Sequence, residues 1–157
     1  MLRTTLLLVM ATLFAVTGCG QGDSSEAAFT AMITAEQYEL LSLDPHSPEM
    51  PPVDEFHGWK VLGRTSIDDA ATRKKLTDAL RAVASEGDIV PAACFWPRHG
   101  IRLTTAGIVT DFVICFQCSQ VEVFEDGKKS VGFLTSDTPQ STFDEVLQAK
   151  GVPLPSD

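Results

Sequence analysis

Between Val90 and Thr135 the chain carries turn signals at Pro97-Arg98-His99-Gly100, Thr105-Ala106-Gly107 and Asp126-Gly127, separated by short runs rich in β-branched, aromatic and aliphatic residues. Tight turns ending in glycine join neighbouring antiparallel strands, because the turn positions demand backbone angles that glycine tolerates. The spacing predicts an antiparallel β-meander over 90–135. Gln37 to Leu43 and Trp59 to Ser66 have the branched and aromatic content of two earlier strands. Between them, Pro45, Pro48, Pro51 and Pro52 deny amide donors, so Asp44 to Val53 is expected as a surface loop.

Two helices are expected beside this sheet. The first starts at Asp68 as N-cap, with Asp69 in the first turn, and Leu76, Leu80 and Val83, helped by Ala79, recur on one face before Gly87. Arg73, Lys74 and Lys75 lie largely off that face and read as solvated surface. The second starts at Thr138, with Pro139 at its first position; Phe143, Val146 and Leu147 share a face, and Gly151 ends it. The expected fold class is α+β, a mainly antiparallel sheet with both helices packed on one face.

The N-terminus carries an address. Arg3 precedes an almost unbroken apolar run from Leu6 to Val16, closed by small residues at Gly18. That is the layout of a secretory signal, and the run is about half of the ~20 residues that span a bilayer. Val16-Thr17-Gly18-Cys19 resembles the bacterial lipobox. The resemblance implies a diacylglyceryl group on the Cys19 sulfur, removal of residues 1–18, and stable anchoring, since several acyl chains are needed for that. With Gly20 after the cysteine, it implies the cell envelope and, in a two-membrane cell, the periplasmic side of the outer membrane. Residues 19–36 are small, polar and acidic, and read as a flexible tether; residues 37–157 read as a single α+β domain.

The 157-residue chain has a formal charge of -9, and loss of Arg3 with the signal makes the mature part about one unit more acidic. Such a balance argues against nucleic acid, whose binding rests on Lys and Arg neutralising phosphates. The expected partner is the membrane, through the anchor, with any protein or small-molecule partner unspecified. No Ser-His-Asp order, phosphate loop, paired-carboxylate motif or dinucleotide fingerprint is recognisable in the sequence. His46 and His57 are too far apart and too lightly accompanied to argue a site.

Chemistry concentrates in Cys94-Phe95-Trp96-Pro97-Arg98-His99-Gly100-Ile101 and Ile114-Cys115-Phe116-Gln117-Cys118, which a meander brings onto neighbouring strands. These segments resemble a recurrent family of small exported or lipid-anchored bacterial proteins with Cys-aromatic-x-Pro-Arg-His followed by Ile-Cys-Phe-x-Cys. The likeness runs from about Tyr38 to Val152 and includes Leu41-Ser42-Leu43-Asp44-Pro45 and Val61-Leu62-Gly63. That family carries no assigned activity, so the resemblance implies a single domain with a shared site and supplies no reaction.

Three readings of the cluster stand open. A disulfide such as Cys94 with Cys115 or Cys118 asks least of the geometry and staples distant strands, the remaining cysteine being a buried small hydrophobe. A zinc ion on Cys94, His99, Cys115 and Cys118 would make a Cys₃His site, but residues three apart in a flat strand face opposite ways, so it needs a bend at Phe116-Gln117. A redox or catalytic thiol is the third, with Arg98 and His99 lowering a thiol pKa; against it, Ser119 to Phe124 reads as strand rather than as a helix start. Arg98 itself reads as a lock for the turn, on carbonyls or on Asp111, ahead of a ligand-binding role. The expected function is a lipid-anchored, non-catalytic binding or structural module with a cysteine-rich cluster; a zinc domain and a thiol-redox enzyme are the alternatives.

Overall fold

The computed structural model describes residues 22–46, 53–85 and 94–156. Seven strands among these residues form one antiparallel sheet: β1 (Gln37–Leu43), β2 (Glu55–Phe56), β3 (Trp59–Ser66), β4 (His99–Thr105), β5 (Ile108–Cys115), β6 (Gln120–Glu125) and β7 (Lys128–Leu134). Their order is β2-β3-β1-β4-β5-β6-β7, so β4 to β7 are the expected meander and β1 is inserted between β3 and β4. Helices α1 (Gly22–Thr34), α2 (Ala70–Arg81) and α3 (Gln140–Ala149) complete the α+β fold.

Three of the hairpins close through two-residue turns, each with a left-handed residue followed by a left-handed glycine: His57-Gly58, Ala106-Gly107 and Asp126-Gly127. Positive φ at both positions matches the turn to the twist of the strands it joins. The expected turn at Pro97–Gly100 is not there. Pro97 and Arg98 belong to no turn, Arg98 donates its amide to Ile114 and accepts from the Leu43 amide, and Gly100 is a strand residue. Gly100 is glycine because the Phe56 ring lies on it: a Cβ there would come within 2.8 Å of that ring.

Alternation along the strands builds two cores. Tyr38 and Leu40 of β1, Ile101 and Leu103 of β4, Phe112 and Ile114 of β5, Val121 and Val123 of β6, and Phe133 of β7 point one way. They pack in one cluster with Leu76 and Leu80 of α2 and Phe143, Val146 and Leu147 of α3. Leu41, Leu43 and Val113 point the other way and meet Phe56, with Trp59, Val61, Phe95 and Phe124 half-buried around them. The β2–β3 hairpin thus works as a strap over the second face.

The residues expected as a tether contain α1 instead. Ala28, Phe29 and Met32 are buried in the main core, the Phe29 ring packs at a tilt against Phe133 with centroids 5.2 Å apart, and Arg81 lies over the Phe29 ring while pairing with Glu26. The cause is a narrow inner stripe of one aromatic, one methionine and alanines, whose burial stabilises a helix of indifferent composition. α2 is capped by Asp69, not Asp68; its side chain accepts the Thr72 amide at 2.7 Å. The helix ends at Arg81, with Val83 only partly buried beyond it, and Gly87 lies outside the described residues. α3 starts one residue later than expected, after Pro139, and Gly151 takes the left-handed angle while the Val152 amide reaches back to Leu147. Arg73 is no solvated surface charge: its guanidinium donates to the Ile67 and Ala35 carbonyls and lies over Tyr38.

Candidate functional site

β5 ends at Cys115 and β6 begins at its pairing partner Gln120, so Cys115-Phe116-Gln117-Cys118 is the tip of a hairpin, not a continuous strand. The Ser119 amide returns to the Phe116 carbonyl with Ser119 left-handed, and the Thr135 amide binds the Ser119 carbonyl. This turn supplies the bend that a flat strand lacks. Cys115 and Cys118 come to 5.2 Å between Cα atoms and are joined as a disulfide. Within the tip, the Cys118 amide donates to the Cys115 sulfur at 3.1 Å. Cys115 is 1% exposed, whereas Cys118 is half-buried.

Cys94 is not part of that bond; it is exposed and carries a free thiol. Its main chain nevertheless lies against the tip. The Cys94 carbonyl oxygen is 2.5 Å from the Cys118 sulfur, and the Trp96 amide is 3.4 Å from the same atom. The expected staple between distant strands is therefore replaced by a local link with a sequence separation of 3 and no buried third cysteine. In a chain-entropy account, closing so short a loop stabilises by about 2 kcal/mol, against about 3.4 kcal/mol for the Cys94–Cys115 closure. Structural reinforcement is thus a weak account of this bond.

The Cys₃His set does not assemble. Two of its sulfurs are bonded to one another, and His99 turns to the opposite side of the sheet, where alternation places it beside Ile114 rather than Cys115. Its ring is fully buried, edge-on to Phe116 and Phe143, with Nε2 at 2.8 Å from Asp144. Among the described residues no group of three His, Cys, Asp or Glu side chains is placed to hold a metal ion. Phe116 links the two places: it is the second residue of the tip, and its ring packs on His99 and Phe143.

A second constellation is not apparent from the sequence pattern. His57 is 2.8 Å from Asp111 through Nε2 and stacks on Phe124 at 3.9 Å between ring centroids. Asp111, 2% exposed, also takes two hydrogen bonds from Arg102, whose guanidinium lies over the Phe56 ring. The Asp111 hydrogen bond raises the Arg102 pKa above its ordinary value, against the partial desolvation that opposes it. So Arg102, not Arg98, is the guanidinium that holds Asp111. Two signals for this network exist in the sequence: His57-Gly58 is itself a hairpin turn, and Asp111 is an acid inside an apolar strand. His46, in contrast, is exposed and, among the described residues, bonds its near neighbour Asp44.

The lipidation candidate Cys19 lies outside the described residues. No helix among the described residues is long and apolar enough to cross a membrane. No family model, no curated protein and no solved structure matches the chain.

Proposed function

We propose that this chain is a lipid-anchored protein of the bacterial envelope whose hairpin-tip cysteines form a thiol–disulfide exchange site. Anchoring rests on the signal and lipobox pattern ending at Cys19. The observation that carries the exchange reading is the half-buried Cys118 beside the exposed Cys94, in a disulfide whose short loop adds only about 2 kcal/mol to the fold. A protein dithiol is the fitting substrate class. One of its thiolates attacks the Cys118 sulfur, the Cys118–Cys115 bond breaks, and the electron pair leaves on Cys115, where the Cys118 amide stabilises the new thiolate. The second substrate thiolate then attacks the mixed disulfide and releases Cys118. The substrate is oxidised by two electrons and the tip is reduced by two.

The test uses the full chain extracted in detergent and equilibrated in glutathione buffers down to about −300 mV, a range over which structural disulfides stay oxidised because their own potentials lie lower. Reduction of Cys115–Cys118 within that range is expected, with the fold retained and the melting temperature lowered by roughly 5–10 °C, the shift that a loss of about 2 kcal/mol gives in a domain of this size. A bond that stays oxidised throughout, and opens only on denaturation, would overturn the reading.

A second reading, a non-catalytic binding module, is favoured by one feature. A groove of about 380 Å³ runs beside α1, lined by Ala27, Ala28, Ala31, Val123, Glu125 and Val131 among others, a size within the range of small-molecule sites. Ligand-dependent shifts in melting that vanish with Ala31→Trp would select it.

A further inference from the structure

Resting on that reading, we propose that Cys94 is the internal partner of the tip, so that the disulfide moves between Cys115–Cys118 and Cys94–Cys118. Reach makes the exchange feasible. A carbonyl oxygen lies about 2.4 Å from its own Cα by standard backbone dimensions, so an oxygen 2.5 Å from the Cys118 sulfur puts the Cys94 Cα within about 5 Å of it. A cysteine sulfur swings about its Cα through three staggered positions. Cys94 is exposed, and it is not one of the described core residues. The attacked atom is the accessible one of the pair, since Cys115 is buried.

The step balances without an outside oxidant. The Cys94 thiol gives its proton to water; its thiolate attacks the Cys118 sulfur, a Cys94–Cys118 bond forms, the Cys115–Cys118 bond breaks, and the Cys115 thiolate takes a proton from water. One thiol and one disulfide are present before and after. Two opposing effects set the resting position. The Cys118 amide favours charge on the departing Cys115 sulfur, whereas its apolar burial disfavours it. The local bond is the one the structure holds, and burial shelters the Cys115 thiol that the isomer releases. The consequence is a tip that presents either a free Cys94 or a sheltered Cys115.

The chain reports the isomer through its own cleavage pattern. Arg81, Arg98, Arg102 and Lys128 put Cys94 in tryptic peptide 82–98 and both tip cysteines in peptide 103–128. The resting bond lies within one peptide; the isomer links two. Full-length protein in detergent is held at about pH 8, acid-quenched, alkylated, digested and mapped by mass spectrometry. Cys115→Ser in oxidised glutathione is expected to convert mostly to the linked pair 82–98/103–128. Wild type is expected to show a minor linked fraction that disappears in Cys94→Ser. If Cys115→Ser keeps its melting transition but leaves Cys94 and Cys118 both free or separately glutathionylated, the proposal fails. If that variant does not fold, the wild-type map decides, and absence of the linked pair at pH 8 overturns the proposal. Cys94→Ser separates this from the exchange reading itself: a tip still reducible in Cys94→Ser with no linked pair in wild type removes the internal partner alone, and a tip inert in both removes the parent reading.

Discussion

The two faces of the sheet solve the same problem with different materials. The helix-covered face draws on three helices, and it buries aromatic and branched side chains from β1, β4, β5, β6 and β7. The strap-covered face has only β2, its turn and a few large side chains, with Leu41, Leu43, Phe56 and Val113 fully buried. Each face holds one histidine–carboxylate pair at 2.8 Å, and the two pairs differ as the unequal supply of apolar surface requires. On the helix side, the Asp144 side chain stays 26% exposed, so part of the carboxylate faces solvent, and His99 is its single ionic partner among the described residues. On the strap side, the Asp111 side chain is 3% exposed and is matched by a bidentate arginine as well as a histidine. A buried charge must be fully partnered, and this arrangement lets polar atoms seal a face that lacks enough hydrocarbon.

Asp111→Ala puts this contrast under the greatest stress. It leaves Arg102 and His57 facing an apolar gap, and a loss of about 3–5 kcal/mol in chemical denaturation is expected, as for other buried pairs stripped of one member. Asp144→Ala should cost far less; equal losses would dissolve the distinction. His99→Ala comes next, expected near 3 kcal/mol, because it empties the space between Phe116 and Phe143. Gly100→Ala is expected to lose roughly 1–3 kcal/mol by pushing a methyl group into Phe56 and lifting the strap. Loss of Phe124–His57 contacts by NMR in that variant, with the helix-side core unchanged, would confine the damage to one face.

The smallest effect belongs to a carboxylate at the edge of the helix layer. The Thr72 amide lowers the Asp69 pKa, so the folded state holds this proton more weakly than the unfolded state does. Its contribution is complete above the ordinary carboxylate range and disappears as pH falls through the lowered folded value. Melting curves of Asp69→Ala and the parent should therefore differ slightly at neutral pH and converge in strong acid.

Much of this frame is legible in the sequence, because strands declare themselves where apolar content and turn chemistry agree. Gln37–Leu43 and Trp59–Ser66 are bounded as their composition predicts, and Ala106-Gly107 and Asp126-Gly127 close their hairpins as glycine-ending turns do. Features fixed by distant contacts are not legible. Gly100 carries a turn residue's signature but is small because Phe56, 44 positions earlier, needs the space. α1 hides behind alanines and an outward Ile33 that blurs its periodicity. At the cluster, neighbouring strands do bring Cys94 and the tip together, yet the pairing of sulfurs is decided by four residues of turn geometry that alternation along a strand cannot express. His99 shares its segment with Cys94 but belongs to the other face by strand parity.

The early start of α1 bears on where such a protein can work. Its first turn begins at Gly22, and Phe29 and Met32 lock the helix into the domain. With Cys19 as the point of attachment, three residue steps of at most about 3.6 Å each separate lipid from folded body. On that proposed attachment the mooring would be at most about 11 Å long by the same measure. A head held on the proposed anchor by so short a line would not search the compartment around it, so whatever it meets would have to arrive at the bilayer surface, and a longer leash inserted before Gly22 would change its reach before it changed its chemistry.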